Sequence, residues 1–229
     1  MTEKRVLSDP VNASLDGPHR GFRRTSGRIS RYDPDVSVFF GHPRDLTEAD
    51  YADVARLADR RGIVLLRDRT TPLPAAWRVM ETVGLVQYSG EHVLGEPDPA
   101  ALRLTTDDVG EMTALVERTN PGPFLPRTVE LGTYLGLRNA SGSLIAMAGE
   151  RMHPPGWTEI SAVCTTPEAR GRGLASRLIR AVAHGIRARG EVPFLHTSDD
   201  NPARSLYESM GFVHTRTVPL EVIATGSDR

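Results

Sequence analysis

Arg170-Gly171-Arg172-Gly173-Leu174-Ala175 is the segment of this chain best suited to chemistry. It follows a strand-like run, Glu159 to Thr165, and a turn carrying Pro167. It opens a long amphipathic stretch in which Leu174, Leu178, Val182 and Ile186 recur at every fourth residue. Glycines leave the backbone unobstructed, so successive N–H groups can converge on one phosphate group, and the positive end of a helix favours that charge. The segment therefore reads as an anion cradle. It has no Gly-Lys-Ser/Thr to hold a terminal phosphate and magnesium. It also lacks the three-glycine spacing and downstream acid of a dinucleotide site.

Arg170, Gly173 and Ala175 fill the pattern Arg/Gln-x-x-Gly-x-Gly/Ala. That pattern resembles the pyrophosphate-binding motif of the GCN5-related N-acetyltransferase (GNAT) superfamily. A second block, Asn201-Pro-Ala-Arg-Ser-Leu-Tyr-Glu-Ser-Met-Gly-Phe212, is similar to that superfamily's other signature, in the expected order. The text from Pro121 to Phe212 is nearest the branch called FR47-like. The resemblance implies an α/β fold with a mixed sheet, the GNAT acyl-CoA N-acyltransferase fold, over residues 96–229.

The same resemblance implies roles. Acetyl-CoA is the expected donor and a primary amine the acceptor, by direct attack. The cradle residues Arg170, Gly171, Arg172, Gly173, Leu174 and Ala175 would hold the pyrophosphate, and the pantetheine arm would lie along Val163, Cys164 and Thr165. The oxyanion would meet a backbone N–H near Val163 and Cys164. Asn201 matches a position that bonds the cofactor arm, or else only caps a helix. Glu159 stands eleven residues before Arg170, the separation that the superfamily's histone acetyltransferases give their catalytic glutamate. It is the expected base, acting through water. Glu150 is its competitor. Such a carboxylate needs apolar walls to lift its pKa from about 4; Trp157, Ile160 and Ala162 are candidates. Tyr207 matches the tyrosine that protonates the leaving thiolate. Phe124, Glu130, Tyr134 and His196 are expected around the acceptor. Arg177 either adds charge toward the phosphates or lies on a solvated helix face. Cys164 reads as an ordinary strand residue, since a nucleophilic thiol wants an adjacent base. A non-catalytic acyl-CoA-binding module, or a transferase using another acyl-CoA, remains the alternative.

The elements that must position these groups follow from periodicity. Residues 1–31 are polar and locally basic (Arg20, Arg23, Arg24, Arg28, Arg31) and read as a disordered arm. Residues 32–95 read as an amino-terminal α/β lobe, with strands at Val36–Phe40 and Ile63–Leu66 around a helix at Leu46–Arg61. Aligning Gly84 with Gly211 sets Met80 against Tyr207, Glu81 against Glu208 and Leu85 against Phe212. That implies a degenerate partial copy of the closing helix and strand; the alternative is a chance helix–glycine–strand junction. After the linker Gly95–Pro99 come a strand at Leu102–Thr105, a helix capped by Asp108 with Glu111, and a short helix at Thr128–Leu135. A hairpin over Leu137–Met152 turns near Asn139–Gly142. The motif strand and helix follow, then a strand at Val192–His196, a helix after Asn201-Pro202, and a last strand from Phe212 to Ile223.

Composition sets the limits. The chain has 229 residues, 39% of them hydrophobic, enough for one good core. A net charge of −1 gives no general pull toward nucleic acid or acidic lipid. The single cysteine excludes an internal disulfide. No run spans a bilayer, and the amino terminus has no secretory h-region. A cytoplasmic protein is expected, with no membrane partner and with homodimerisation left open. No His-x-x-x-His or cysteine-pair spacing appears, so no metal is expected.

Overall fold

The computed structural model describes residues 3–226. In chain order the elements are α1 (Pro10–Asp16), β1 (Arg23–Ser26), β2 (Ile29–Tyr32), β3 (Phe40–Gly41), α2 (Glu48–Leu57), β4 (Ile63–Arg67) and β5 (Arg78–Ser89). Then follow β6 (Leu102–Leu104), α3 (Val109–Thr119), β7 (Tyr134–Arg138), β8 (Leu144–Glu150), β9 (Trp157–Thr165), α4 (Leu174–Ala188), β10 (Val192–Ser198), α5 (Arg204–Ser209) and β11 (Val213–Ala224). Eight strands form one mixed sheet in the order β4-β11-β5-β10-β9-β8-β7-β6, and β1-β2-β3 form a small second sheet. Within the large sheet only β9 and β10 run parallel.

The sheet is sandwiched between two helices. On β8, Ala146 and Ala148 pack with Leu178, Val182 and Ile186 of α4, while Met147 packs with Met112 and Leu115 of α3. Successive strand residues point to opposite faces, so α4 and α3 cover opposite sides.

Three expectations are corrected. The segment expected to be a disordered arm is ordered over its described part. Leu7, Val11 and Leu15 are buried at four-residue spacing against Trp157 and Phe194. Its arginines find acids within the fold, such as Arg24 with Asp33 and Arg28 with Asp50. A short apolar stripe inside a polar composition made the segment look unfoldable.

Second, residues 78–89 are one continuous strand rather than a helix, glycine and strand. Val79, Thr82, Val83 and Val86 are β-branched and suit a pleated surface. Gly84 stops no helix. A Cβ there would stand 2.0 Å from an Asp199 carboxylate oxygen, so the glycine permits a close approach. The partial-copy alignment fails with it. Since β5 lies between β11 and β10, the boundary expected at residues 95–96 does not divide the sheet.

Third, local boundaries move. Thr105 rather than Asp108 heads the turn into α3: its hydroxyl accepts from the Asp107 N–H, and the Asp108 carboxylate accepts from the Thr105 N–H. The strand expected at Val36–Phe40 is reduced to Phe40–Gly41, and the helix expected at Thr128–Leu135 is a single 3-10 turn, Thr128–Leu131.

Candidate active site

β9 and β10 pair only from Trp157 to Glu159 on one side and Val192 to Phe194 on the other. Beyond that they part. Leu195 to Ser198 stay bonded to β5, and β9 bends at Ala162, whose φ of 52° lies in the left-handed region. Ala162 and Val163 have no partner in the β8 register, as in a bulge. The parted strands open a cleft of about 1130 Å³, lined by Ile160 to Thr165 and Leu195 to Ser198.

The cradle closes one end. Gly171 and Gly173 sit at φ 74° and 71°, and a Cβ on either would meet nothing within 4 Å. The first helical bond of α4 near this turn is Arg177 N–H to the Gly173 carbonyl, at 3.1 Å. The N–H groups of residues 171–176 therefore keep no acceptor among the described residues. Six donors at and just before the start of a 15-residue helix are thus left without a protein acceptor among the described residues. Arg170, Gly171, Gly173, Leu174, Ala175, Val163, Cys164, Thr165 and Asn201 all line the cleft; Arg172 is exposed and does not. Arg177 is spent on Asp98, with bonds of 2.7 and 3.0 Å.

Tyr207 lines the same cleft, and no hydrogen bond occupies its hydroxyl among the described residues. Burial pushes its pKa up to about 12, so it carries its proton at neutral pH. The Asn201 side-chain oxygen accepts from the Ala203 N–H at 2.8 Å. Burial raises the Cys164 thiol to about 11, which leaves it un-ionised.

Glu159 sits in an ion pair rather than among apolar walls alone. It is wholly buried, and both its oxygens are taken, by Arg151 Nε (2.8 Å) and Nη2 (2.7 Å) and by His196 Nδ1 (2.7 Å). Burial opposes its charge, but the Arg151 guanidinium and the bonds from Arg151 and His196 prevail and hold the carboxyl well below the usual range. Apolar walls alone would have raised it; the arginine decides otherwise. Glu150 is also engaged, by Arg189 (2.7 Å) and the Thr133 N–H (2.9 Å). His196 donates to Glu159 through Nδ1, and its Nε2 accepts from the Gln87 amide at 3.0 Å. That Gln87 amide also donates to the Leu7 carbonyl. The ring is neutral, its pKa lowered by burial.

Of the other expected acceptor residues, His196 reaches the cleft and Phe124, Glu130 and Tyr134 do not. Glu130 is bound to Arg127, and Phe124 packs edge-on against the buried Tyr134. Pro121 to Pro123 line the wall in their place, joined by Phe39, Glu81, Val83, Leu85 and Arg151. The alternation Glu81-Val83-Leu85 was a strand signal pointing to that wall. Nothing in the sequence singled out Arg151.

The chain is 39% identical to a protein from Novosphingobium aromaticivorans assigned to the GNAT family of acetyltransferases, covering 95% of this chain and 97% of that one at a TM-score of 0.86. This chain belongs to the GNAT family. The FR47-like protein family matches residues 134–218. A GCN5-related N-acetyltransferase from Kribbella flavida shares the fold at 20% identity and a TM-score of 0.60, with 93% of both chains covered. No curated protein matches. Among the described residues, no three His, Cys, Asp or Glu side chains group as metal ligands, and no helix is long and apolar enough to cross a membrane.

Proposed function

We propose that this GNAT protein moves an acetyl group from acetyl-CoA to a primary amine by direct attack. The observation that carries the reading is the row of unpaired N–H groups at residues 171–176, continuous with the free edge of β9. The cradle suits a pyrophosphate, because a side chain at Gly171 or Gly173 would project into the space a phosphate needs. The β9 edge at Val163–Thr165 suits the amides of a pantetheine arm. Val163 lies out of register with β8 at the bulge and lines the cleft, so its N–H would be the group to meet a developing oxyanion. Tyr207 would give its proton to the departing thiolate. Glu159 is assigned to holding Arg151 rather than to taking a proton. The amine's proton would leave toward the mouth of the cleft, where Glu81 and Asp200 are exposed.

The burial of Glu159 favours a second reading, an acyl-CoA-binding module without turnover; the free hydroxyl of Tyr207 opposes it. Two measurements decide. Calorimetric titration with acetyl-CoA should show micromolar binding that Gly173→Val abolishes while circular dichroism stays native; unchanged affinity would discard the cradle. Thiol release from acetyl-CoA with amines present separates transferase from binding module.

A further inference from the structure

The head of Arg151 has two edges able to meet a carboxylate. Nε and Nη2 form one, and Glu159 occupies it with both oxygens. The other, between Nη1 and Nη2, holds no partner: Nη1 makes no hydrogen bond among the described residues. The side chain retains 13% exposure and lines the cleft, with its guanidinium 4.8 Å above the Phe39 ring. Stacking and the Glu159 fork fix the plane of the group, so its open edge has a defined direction before any ligand arrives. Beside it, the Tyr134 hydroxyl is fully buried and without a partner, and the charges of Arg151 and Glu159 both act on it.

Arg151 follows β8 and bonds its backbone N–H to the Glu159 carbonyl, so it sits where β9 and β10 part, at the opposite end of β9 from the cradle. With the donor's phosphates on the cradle, the acyltransferase reading leaves this end to the amine. Across the cleft stand Val83 and Leu85, apolar, and Glu81.

We infer that the acceptor carries a carboxylate beside its amine, an amino-acid-like zwitterion, and that Arg151 receives that carboxylate on its open edge. Arg151 and Glu159 already cancel and His196 is neutral, so a carboxylate on the open edge adds one negative charge that the acceptor's own ammonium offsets. Glu81 offers the ammonium a counter-charge on the opposite wall. The inference rests on the acyltransferase reading above and names its acceptor class.

The test is a panel of α-amino acids, each paired with its carboxamide and its decarboxylated amine, with acetyl-CoA as donor and thiol release as readout. The acids should exceed their amides by about 10- to 100-fold in kcat/KM, the span of one charge-assisted bond pair. The amide's less basic amine works against this preference, so protonation cannot mimic it. Arg151→Lys should bring the acid-to-amide ratio close to one with the Kd for CoA unchanged; a merely structural arginine would lower the yield of folded protein and leave the ratio alone. Should that variant not fold, inhibition of the wild type by the deaminated acid, competitive against the amine and absent for its amide, reads the same contact. Amides or plain amines turning over as well as acids would overturn the inference. A preference for succinyl-CoA over acetyl-CoA without acid discrimination would overturn it by placing the carboxylate on the donor. CoA binding without thiol release with any amine would instead sink the transferase reading, and this inference with it.

Discussion

Glu159→Gln keeps the shape of the side chain and removes its charge. In the structure that charge faces Arg151 across two bonds of 2.7 and 2.8 Å, with Glu159 wholly buried and Arg151 nearly so. Breaking a buried pair by neutralising one member costs about 3–5 kcal/mol, because the remaining ion is left without compensation. For a chain of this size each kcal/mol moves the melting midpoint by about 2–4 °C, so Tm should fall by roughly 6–20 °C. The pH dependence follows from the depressed carboxyl. Its stabilisation is complete above the unfolded carboxylate value of about 4.3 and is lost as pH falls through the folded value. The deficit of the variant should therefore be full at neutral pH and narrow on acidification. Thermal melts followed by circular dichroism, repeated from neutral to acidic pH, give both quantities. The pH profile of kcat/KM from thiol release tests the role in turnover. A positioning role lowers the rate by one factor from neutral to alkaline pH. A wild-type Tm together with activity that recovers as the amine deprotonates unaided would refute this reasoning and restore Glu159 as the base.

Tyr207→Phe should lower kcat about 100-fold or more, the usual scale for losing a general acid, with CoA affinity essentially unchanged because ring packing against Tyr88 and Phe212 is kept. A wild-type rate with chemistry limiting would remove it from the mechanism. Deleting residues 1–16 withdraws Leu7, Val11 and Leu15 from the core, at about 1.5–3 kcal/mol for each buried side chain. That is comparable with the roughly 5–15 kcal/mol net stability of a domain, so the truncated chain should be insoluble; a soluble, cooperatively melting product would contradict the packing described.

The glycine turn ahead of α4 was legible because its information is local: glycines at fixed spacing, then a helix with a four-residue stripe. The strand before it and the place of Tyr207 along the cleft came with it. The ion pair of Glu159 was not legible because a carboxylate's surroundings depend on which cation folding brings to it, and Arg151 is a neighbour only through the pairing of β8 with β9. The amino-terminal segment was misread since three apolar residues in a polar stretch gain meaning only when Trp157 and Phe194, far along the chain, supply their other half. β5 was misread because Gly84 looks like a helix stop until Asp199 is seen to press against it.

The place of β5 has a consequence for how the molecule comes to exist. Its two neighbours, β10 and β11, are both made after residue 191, so this interior strand has no edge to join until nearly the whole chain is available. At typical synthesis rates of about 5–20 residues per second, the stretch from Ser89 to Val213 takes roughly 6–25 s to emerge. During that interval an apolar strand with Val83, Leu85 and Val86 waits unpaired, exposed to other nascent chains. Pairings this distant in sequence make for slow folding. Yield in a cell will depend on what shelters β5 in those seconds.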